Sequence, residues 1–108
     1  MSRIVLDTSA LLAILNGEPG AEMFNQTSDL LEEAAMSSVN VAPVPEILDF
    51  DTNQAKIAGS LLPYTRPLGL SLGDRACLAL GIALKAPIYT ADRAWKSLKL
   101  KVAIHVIR

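Results

Sequence analysis

Ile4-Val5-Leu6 is a short apolar run closed by Asp7-Thr8-Ser9, residue types that cap helices and turn the chain. The pattern predicts a buried strand followed at once by a helix over Ala10–Leu15, stopped by Asn16-Gly17. Glu18-Pro19-Gly20 opens a second predicted helix to about Glu33, with a proline near its first turn. Ala34–Ser38 reads as a second strand. From Asn40 to Glu46 the prolines at 43 and 45 interrupt any helix. Ile47–Phe50 then reads as a short strand, and Asp51 or Thr52 starts a helix to about Leu62. Pro63, Pro67 and Gly69 mark a loop. Ser71-Leu72-Gly73-Asp74 opens the clearest helix, Leu72 to about Leu84. Pro87-Ile88-Tyr89 is a strand, Thr90-Ala91-Asp92 a turn, Arg93–Leu98 a short helix, and Val102–Ile107 a closing strand of partial alternation. Strands alternating with helices predict a mostly parallel α/β sheet. No repeat, low-complexity stretch or linker divides residues 1–108, so the expectation is a single domain.

Composition narrows the class. Of the 108 residues, 51% are hydrophobic, enough for a packed core and against disorder. The longest apolar stretches, Ala10–Leu15 and Ala76–Leu84, fall short of the roughly 18 residues that cross a bilayer. Asp7 interrupts the N-terminal apolar run before a signal sequence could form. Cys77 is the single cysteine, which excludes an intrachain disulfide and a cysteine-rich zinc site. A cytoplasmic protein with no membrane association is expected. The net charge of −1 hides an asymmetry. Residues 1–54 carry Arg3 against nine acids, and residues 55–108 carry nine bases against Asp74 and Asp92. The split reads either as an anionic partner's face or as mutual attraction between halves with solvated remainder.

Strand polarity turns this pattern into chemistry. In a parallel sheet every strand's carboxyl end meets one edge, and ligands bind in the crevice beyond it. Asp7 directly follows the first strand, Asp92 follows Pro87–Tyr89 closely, and Asp74 stands in the first turn of the long helix. All three are expected in one small pocket. Clustered carboxylates need a counter-charge to stay ionised. Hard oxygen ligands without thiolates or paired imidazoles favour Mg²⁺ or Mn²⁺, which activates water and stabilises phosphoryl charge. Each acid also has a structural reading. Asp7 is placed to cap the first helix, Asp74 to form a capping box with Ser71, and Asp92 to close an Asx-turn.

At these residues the sequence resembles the PIN-domain ribonucleases, and among them the VapC-type toxins of toxin–antitoxin pairs. The carrying blocks are Ile4-Val5-Leu6-Asp7-Thr8-Ser9-Ala10-Leu11-Leu12-Ala13-Ile14-Leu15, Leu70-Ser71-Leu72-Gly73-Asp74-Arg75-Ala76-Cys77-Leu78-Ala79-Leu80 and Thr90-Ala91-Asp92-Arg93-Ala94-Trp95. The resemblance implies a PIN-like three-layer α/β domain, with a central sheet flanked by helices. It implies an Mg²⁺-dependent endoribonuclease, with Mn²⁺ able to substitute, acting on RNA through Asp7, Asp74 and Asp92. It also implies a homodimer held by a VapB-like antitoxin.

The middle departs from that pattern. Ser38-Val39-Asn40-Val41-Ala42-Pro43 resembles the family's second block, with Pro43 where a glutamate is expected, and about two helices are missing before Ile47. Glu46 is a weak positional substitute. A parallel crossover takes about a dozen residues or more, and Asn40–Glu46 supplies fewer. The strand at Ile47–Phe50 is therefore expected to run antiparallel, leave the sheet or sit at an edge. Missing helices would also leave apolar surface for a partner to bury. Two functional classes follow: an active nuclease, or an impaired PIN remnant that binds an antitoxin. A phosphoacceptor receiver domain would want paired early acids and a late lysine, and neither stands out.

The remaining polar residues fall around these acids. Thr8, Ser9, Asn40 and Thr90 are candidates to orient the carboxylates, with capping or turn duty as the other reading. Arg75 and Arg93, each beside an acid, are candidates for RNA phosphate. Lys96, Lys99 and Lys101 serve the same end or form a solvated rim. Trp95 reads as core or as a base-stacking residue, His105 as structural, and Cys77 as an inert core thiol.

Overall fold

The computed structural model describes residues 4–16, 34–37 and 46–107, with side chains described for 4–13 and 48–107. The elements are β1 (Ile4–Leu6), α1 (Thr8–Asn16), β2 (Ala34–Ser37), β3 (Glu46–Leu48), α2 (Thr52–Ser60), α3 (Leu62–Thr65), α4 (Leu72–Leu84), β4 (Ile88–Thr90) and β5 (Ile104–Val106). Short 3-10 helices at Arg66–Leu68 and Arg93–Ser97 complete the order. The expected helix to Glu33, and Asn40 and Pro43 with the segment around them, lie outside the described residues.

The five strands run in the order β3-β2-β1-β4-β5, and every pairing is parallel. Period-two alternation in β1 sends its side chains to two helical layers. Ile4 and Leu6 pack with Ala10, Leu11 and Ala13 of α1. Val5 packs on the other face with Cys77, Leu78 and Leu80 of α4, beside Leu61, Ile88 and Trp95. Leu78, Leu80 and Ile88 are fully buried, and each stabilises the fold by about 1.5–3 kcal/mol. The three-layer α/β expectation is met. Trp95 is core, not a surface stacking residue. Among the described residues, no helix is long and apolar enough to cross a membrane.

Three expectations are corrected. β3 is an edge strand, as one alternative had it, but it pairs parallel with β2 in the register Ala35↔Glu46 to Ser37↔Leu48. The dozen-residue rule describes a crossover built around a helix. With strands of 4 and 3 residues, the chain returns only about 10 Å before re-entering the sheet. The residues between them reach farther than that when extended. Second, the loop predicted at 63–69 is helical. Pro63 and Pro67 fall in the first turns of α3 and the following 3-10 helix, where a missing N–H leaves no hydrogen bond unmade. Gly69 then closes the segment at φ 69°, the left-handed region glycine tolerates. Third, the closing strand is shorter than predicted. It covers Ile104–Val106, and His105 stacks on Tyr89 of β4 with centroids 4.9 Å apart.

α4 matches its prediction end to end. Ser71 Oγ accepts from the Asp74 N–H at 3.2 Å, and Asp74 Oδ2 accepts from the Ser71 N–H at 2.8 Å, a reciprocal capping box. Its C-terminus is less favourable, because Lys85 occupies the left-handed region at φ 54°. Lys85 is exposed, so Lys85→Gly should stabilise the protein by about 0.5–1 kcal/mol. A thermal melt that falls instead would show that the lysine side chain makes a compensating contact.

Candidate active site

β1 occupies the centre of the sheet, with β2 on one side and β4 on the other. The chain therefore reverses direction of travel between β1 and β4, and the crevice beyond their carboxyl ends is the switch point where open α/β sheets bind ligands. Asp7 lies there. Its backbone N–H donates to the Tyr89 carbonyl at 2.9 Å, which extends the β1–β4 ladder by one residue. Its carbonyl accepts from the Ala10 and Leu11 amides, starting α1.

The Asp7 side chain is 5% exposed. Ser9 Oγ donates to its Oδ2 at 2.6 Å, and Thr90 Oγ1 donates to the same oxygen at 2.8 Å. Each hydroxyl has one proton, so both are committed to Asp7. The 3.1 Å approach of Ser9 Oγ to Thr90 Oγ1 is then a close packing of two oxygens that share an acceptor. Their lone pairs are also used. The Ala91 N–H donates to Ser9 Oγ at 2.9 Å, and the Asp92 N–H donates to Thr90 Oγ1 at 3.0 Å. The β4 turn thereby fixes both hydroxyls, and they fix the carboxylate.

Burial pushes the Asp7 carboxyl above its ordinary pKa. The Ser9 and Thr90 hydrogen bonds oppose that rise, the negative charge of Asp74 adds to it, and the Thr8 backbone amide opposes it weakly. A charge held against desolvation beside another acid is typical of functional carboxylates. Cys77 lies one turn beyond Asp74 and is fully buried. Its thiol is pushed well up, first by burial and then by Asp7 and Asp74. The inert-thiol expectation therefore stands, and Cys77 also sits close to the acid pair. The i, i+3 spacing from Asp74 was the available signal, since it places both on one helix face.

The predicted residues are not all brought together. Asp7 and Asp74 feel each other's charge. Asp92 joins through its backbone and Thr90, while its Oδ1 accepts from the Ala94 N–H at 2.9 Å and caps the second 3-10 helix. Among the described residues, no three His, Cys, Asp or Glu side chains stand close enough to hold one metal ion. The expected three-acid pocket does not form as a group of three ligands, and Asp74 and Asp92 each turn an oxygen to a helix N-terminus. Thr8 acts through its amide, Ser9 and Thr90 through their hydroxyls. The Glu46 backbone is in β3, and its side chain lies outside the described residues. Arg75 Nη1 donates to the Ala58 carbonyl of α2 at 3.3 Å, which ties α4 to α2, and its buried Nε has no partner among the described residues. Arg93 is exposed beside Asp92.

Carboxylate oxygens are hard donors, and Mg²⁺ needs only one or two protein carboxylates because it keeps several waters, so the chemistry of these acids is compatible with it.

No family model matches the sequence, and no curated protein matches it. Solved structures do. A chain of VapBC2 from Rickettsia felis, bound to a DNA fragment from its promoter, superposes with TM-score 0.71 at 18% identity, covering 94% of this chain and 96% of that one. DNA-bound VapBC from Salmonella typhimurium gives 0.67 at 18% identity over 96% and 97%. FitAcB from Neisseria gonorrhoeae gives 0.68 at 18% identity over 94% and 96%. The fold is PIN-like and is shared with these VapBC and FitAcB chains, and in it the Asp7 crevice lies at the sheet's switch point.

Proposed function

We propose that this protein is a Mg²⁺-dependent endoribonuclease of the VapC toxin type, hydrolysing RNA phosphodiester bonds, with Mn²⁺ able to substitute. The observation that supports it most is the buried Asp7 carboxylate, held by two hydroxyls at the switch point, with the negative charge of Asp74 helping to raise its pKa. Asp7 and Asp74 would hold the ion, and Asp92 would reach it through water. When bound, the ion supplies an activated water and neutralises charge developing on the phosphoryl oxygens. Ser9 and Thr90 keep one Asp7 oxygen fixed, which lowers the reorganisation needed at the rim. Arg93, exposed beside Asp92, would meet an RNA phosphate. On this reading the partners are RNA, a VapB-like antitoxin and a second copy of the chain, in the cytoplasm.

RNA cleavage by the pure protein should require Mg²⁺ or Mn²⁺ and stop on EDTA addition. EDTA-resistant cleavage that copurifies with the protein would rule the mechanism out.

A second reading has its own observation. No three-acid group forms among the described residues, and Pro43 stands where the resemblance leads one to expect glutamate. Both suit an impaired PIN remnant that still binds an antitoxin. An RNase assay in Mn²⁺, run beside an antitoxin pull-down, separates the two. Binding without cleavage selects the remnant.

A further inference from the structure

The end of the molecule remote from the carboxylates carries a different surface. A groove of about 410 Å³ opens between α2, α3, the later turns of α4 and the segment before β5. Its walls are Ile57, Tyr64, Ile82 and Leu100, and Lys99 and Lys101 stand on one rim. Tyr64 is 61% exposed, while Ile57, Ile82 and Leu100 are half-buried. Ile82 follows Asp74 by eight residues in α4, about 12 Å along the helix axis. Lys99–Lys101 precede β5, at the amino edge of a parallel sheet whose acids crowd the carboxyl edge. Between residues 55 and 108 the acids are Asp74 and Asp92 alone, and the residues lining the groove include Lys99 and Lys101 and no acid.

Apolar walls with cations along one rim define a complementary shape and charge. A nucleic acid backbone would meet Lys99 and Lys101 but leave the apolar walls of Ile57, Ile82 and Leu100 unmatched, whereas an amphipathic helix matches both. We propose that this groove docks an acidic amphipathic helix of a partner protein, with apolar side chains at helical spacing seated on Ile57, Ile82 and Leu100. Carboxylates along its polar edge meet Lys99 and Lys101. This is the helix-in-groove mode of recognition, and charge complementarity sets its orientation. The surface is separate from the Asp7 crevice, so occupancy leaves the carboxyl edge open.

The test uses the full chain and a fluorescein-labelled synthetic helix with leucine at i, i+3, i+4 and i+7 and glutamate elsewhere, followed by fluorescence anisotropy. Saturable binding is expected. Leu100→Glu should weaken it about tenfold or more. The exposed pair Lys99→Glu and Lys101→Glu, changed together, should weaken it similarly without disturbing the thermal melt. A peptide with lysine in place of glutamate should bind about tenfold less well, and salt should weaken the acidic peptide. The proposal fails if the acidic peptide does not bind, if both peptides bind alike, or if the lysine reversals leave affinity unchanged. It also fails if the chain forms a dimer that Leu100→Glu dissolves, since the groove would then belong to a second copy. Displacement of the peptide by a short RNA would likewise reassign the surface.

Discussion

Asp7→Asn is expected to make the metal-free protein more stable at neutral pH while abolishing nuclease activity. The carboxyl is nearly fully buried, and its pKa is raised in the folded state, first by that burial. A raised pKa means the folded protein favours the protonated acid. Its contribution to stability is therefore fully present below the unfolded value near 3.8 and is lost as pH rises through the folded value. At pH 7 the ionised side chain is a burden on the fold. Asparagine keeps a carbonyl oxygen to accept from Ser9 and Thr90 and removes the charge that faces Asp74. A gain of about 1–2 kcal/mol is the size expected of a buried polar change, roughly 4–8 °C in Tm per kcal/mol for a domain near this length. The advantage should shrink as the solution is acidified into the carboxylic range, where wild-type Asp7 is itself neutral. Mg²⁺ should reverse the ranking, since a ligand at 100 times its Kd stabilises by about 2.7 kcal/mol and the variant lacks the charge to hold it. Thermal melts at two pH values, with and without Mg²⁺, check each part. A variant less stable at pH 7 by the same margin as at acid pH would make Asp7 a structural cap and remove the basis for the nuclease reading.

The two kinds of role are combined in these residues, which is why the sequence disclosed their positions better than their geometry. Strand ends and a helix start were legible from apolar runs and capping residues, and α4 begins and ends where its pattern placed it. Asp74 and Asp92 each read as capping residues or as ligands, and the structure shows the caps formed. A capping oxygen is fixed by backbone, so the distance from Asp74 or Asp92 to Asp7 depends on how α4 and the second 3-10 helix dock on the sheet. No local spacing encodes that docking. The same limit applies to Arg75, whose place beside Asp74 in sequence does not disclose its bond to the Ala58 carbonyl of α2. The missed helix at Leu62–Thr65 has the opposite cause. Prolines signal a break, yet within the first turns of helices they are compatible with helix. β3 pairs parallel because the crossover length typical of ordinary strands does not bind very short ones.

Gly81→Ala is expected to destabilise the protein although alanine is the better helix former. Gly81 lies inside α4, where Ala would gain about 1 kcal/mol on propensity alone. A Cβ at this position, however, would overlap Ile88 Cδ1 and Cγ1 and come within 3.3 Å of the Ala86 carbonyl oxygen. Ile88 is fully buried in β4, so it has little space into which to rotate. Overpacking of this kind costs about 1–3 kcal/mol before relaxation, and the expected net result is a lower melting temperature. The change also reaches the site. Ile88 precedes Thr90 by two residues on the same strand face, and Thr90 Oγ1 holds Asp7. A displaced β4 should therefore loosen the Asp7 carboxylate, so on the nuclease reading Mg²⁺-dependent activity should fall with stability. Combining Gly81→Ala with Ile88→Ala removes the overlapping atoms and refills part of the cavity. The double variant should be more stable than the two single losses predict, by about 1 kcal/mol or more of coupling. Strict additivity would show that α4 and β4 are not in the close contact that brings Thr90 to Asp7.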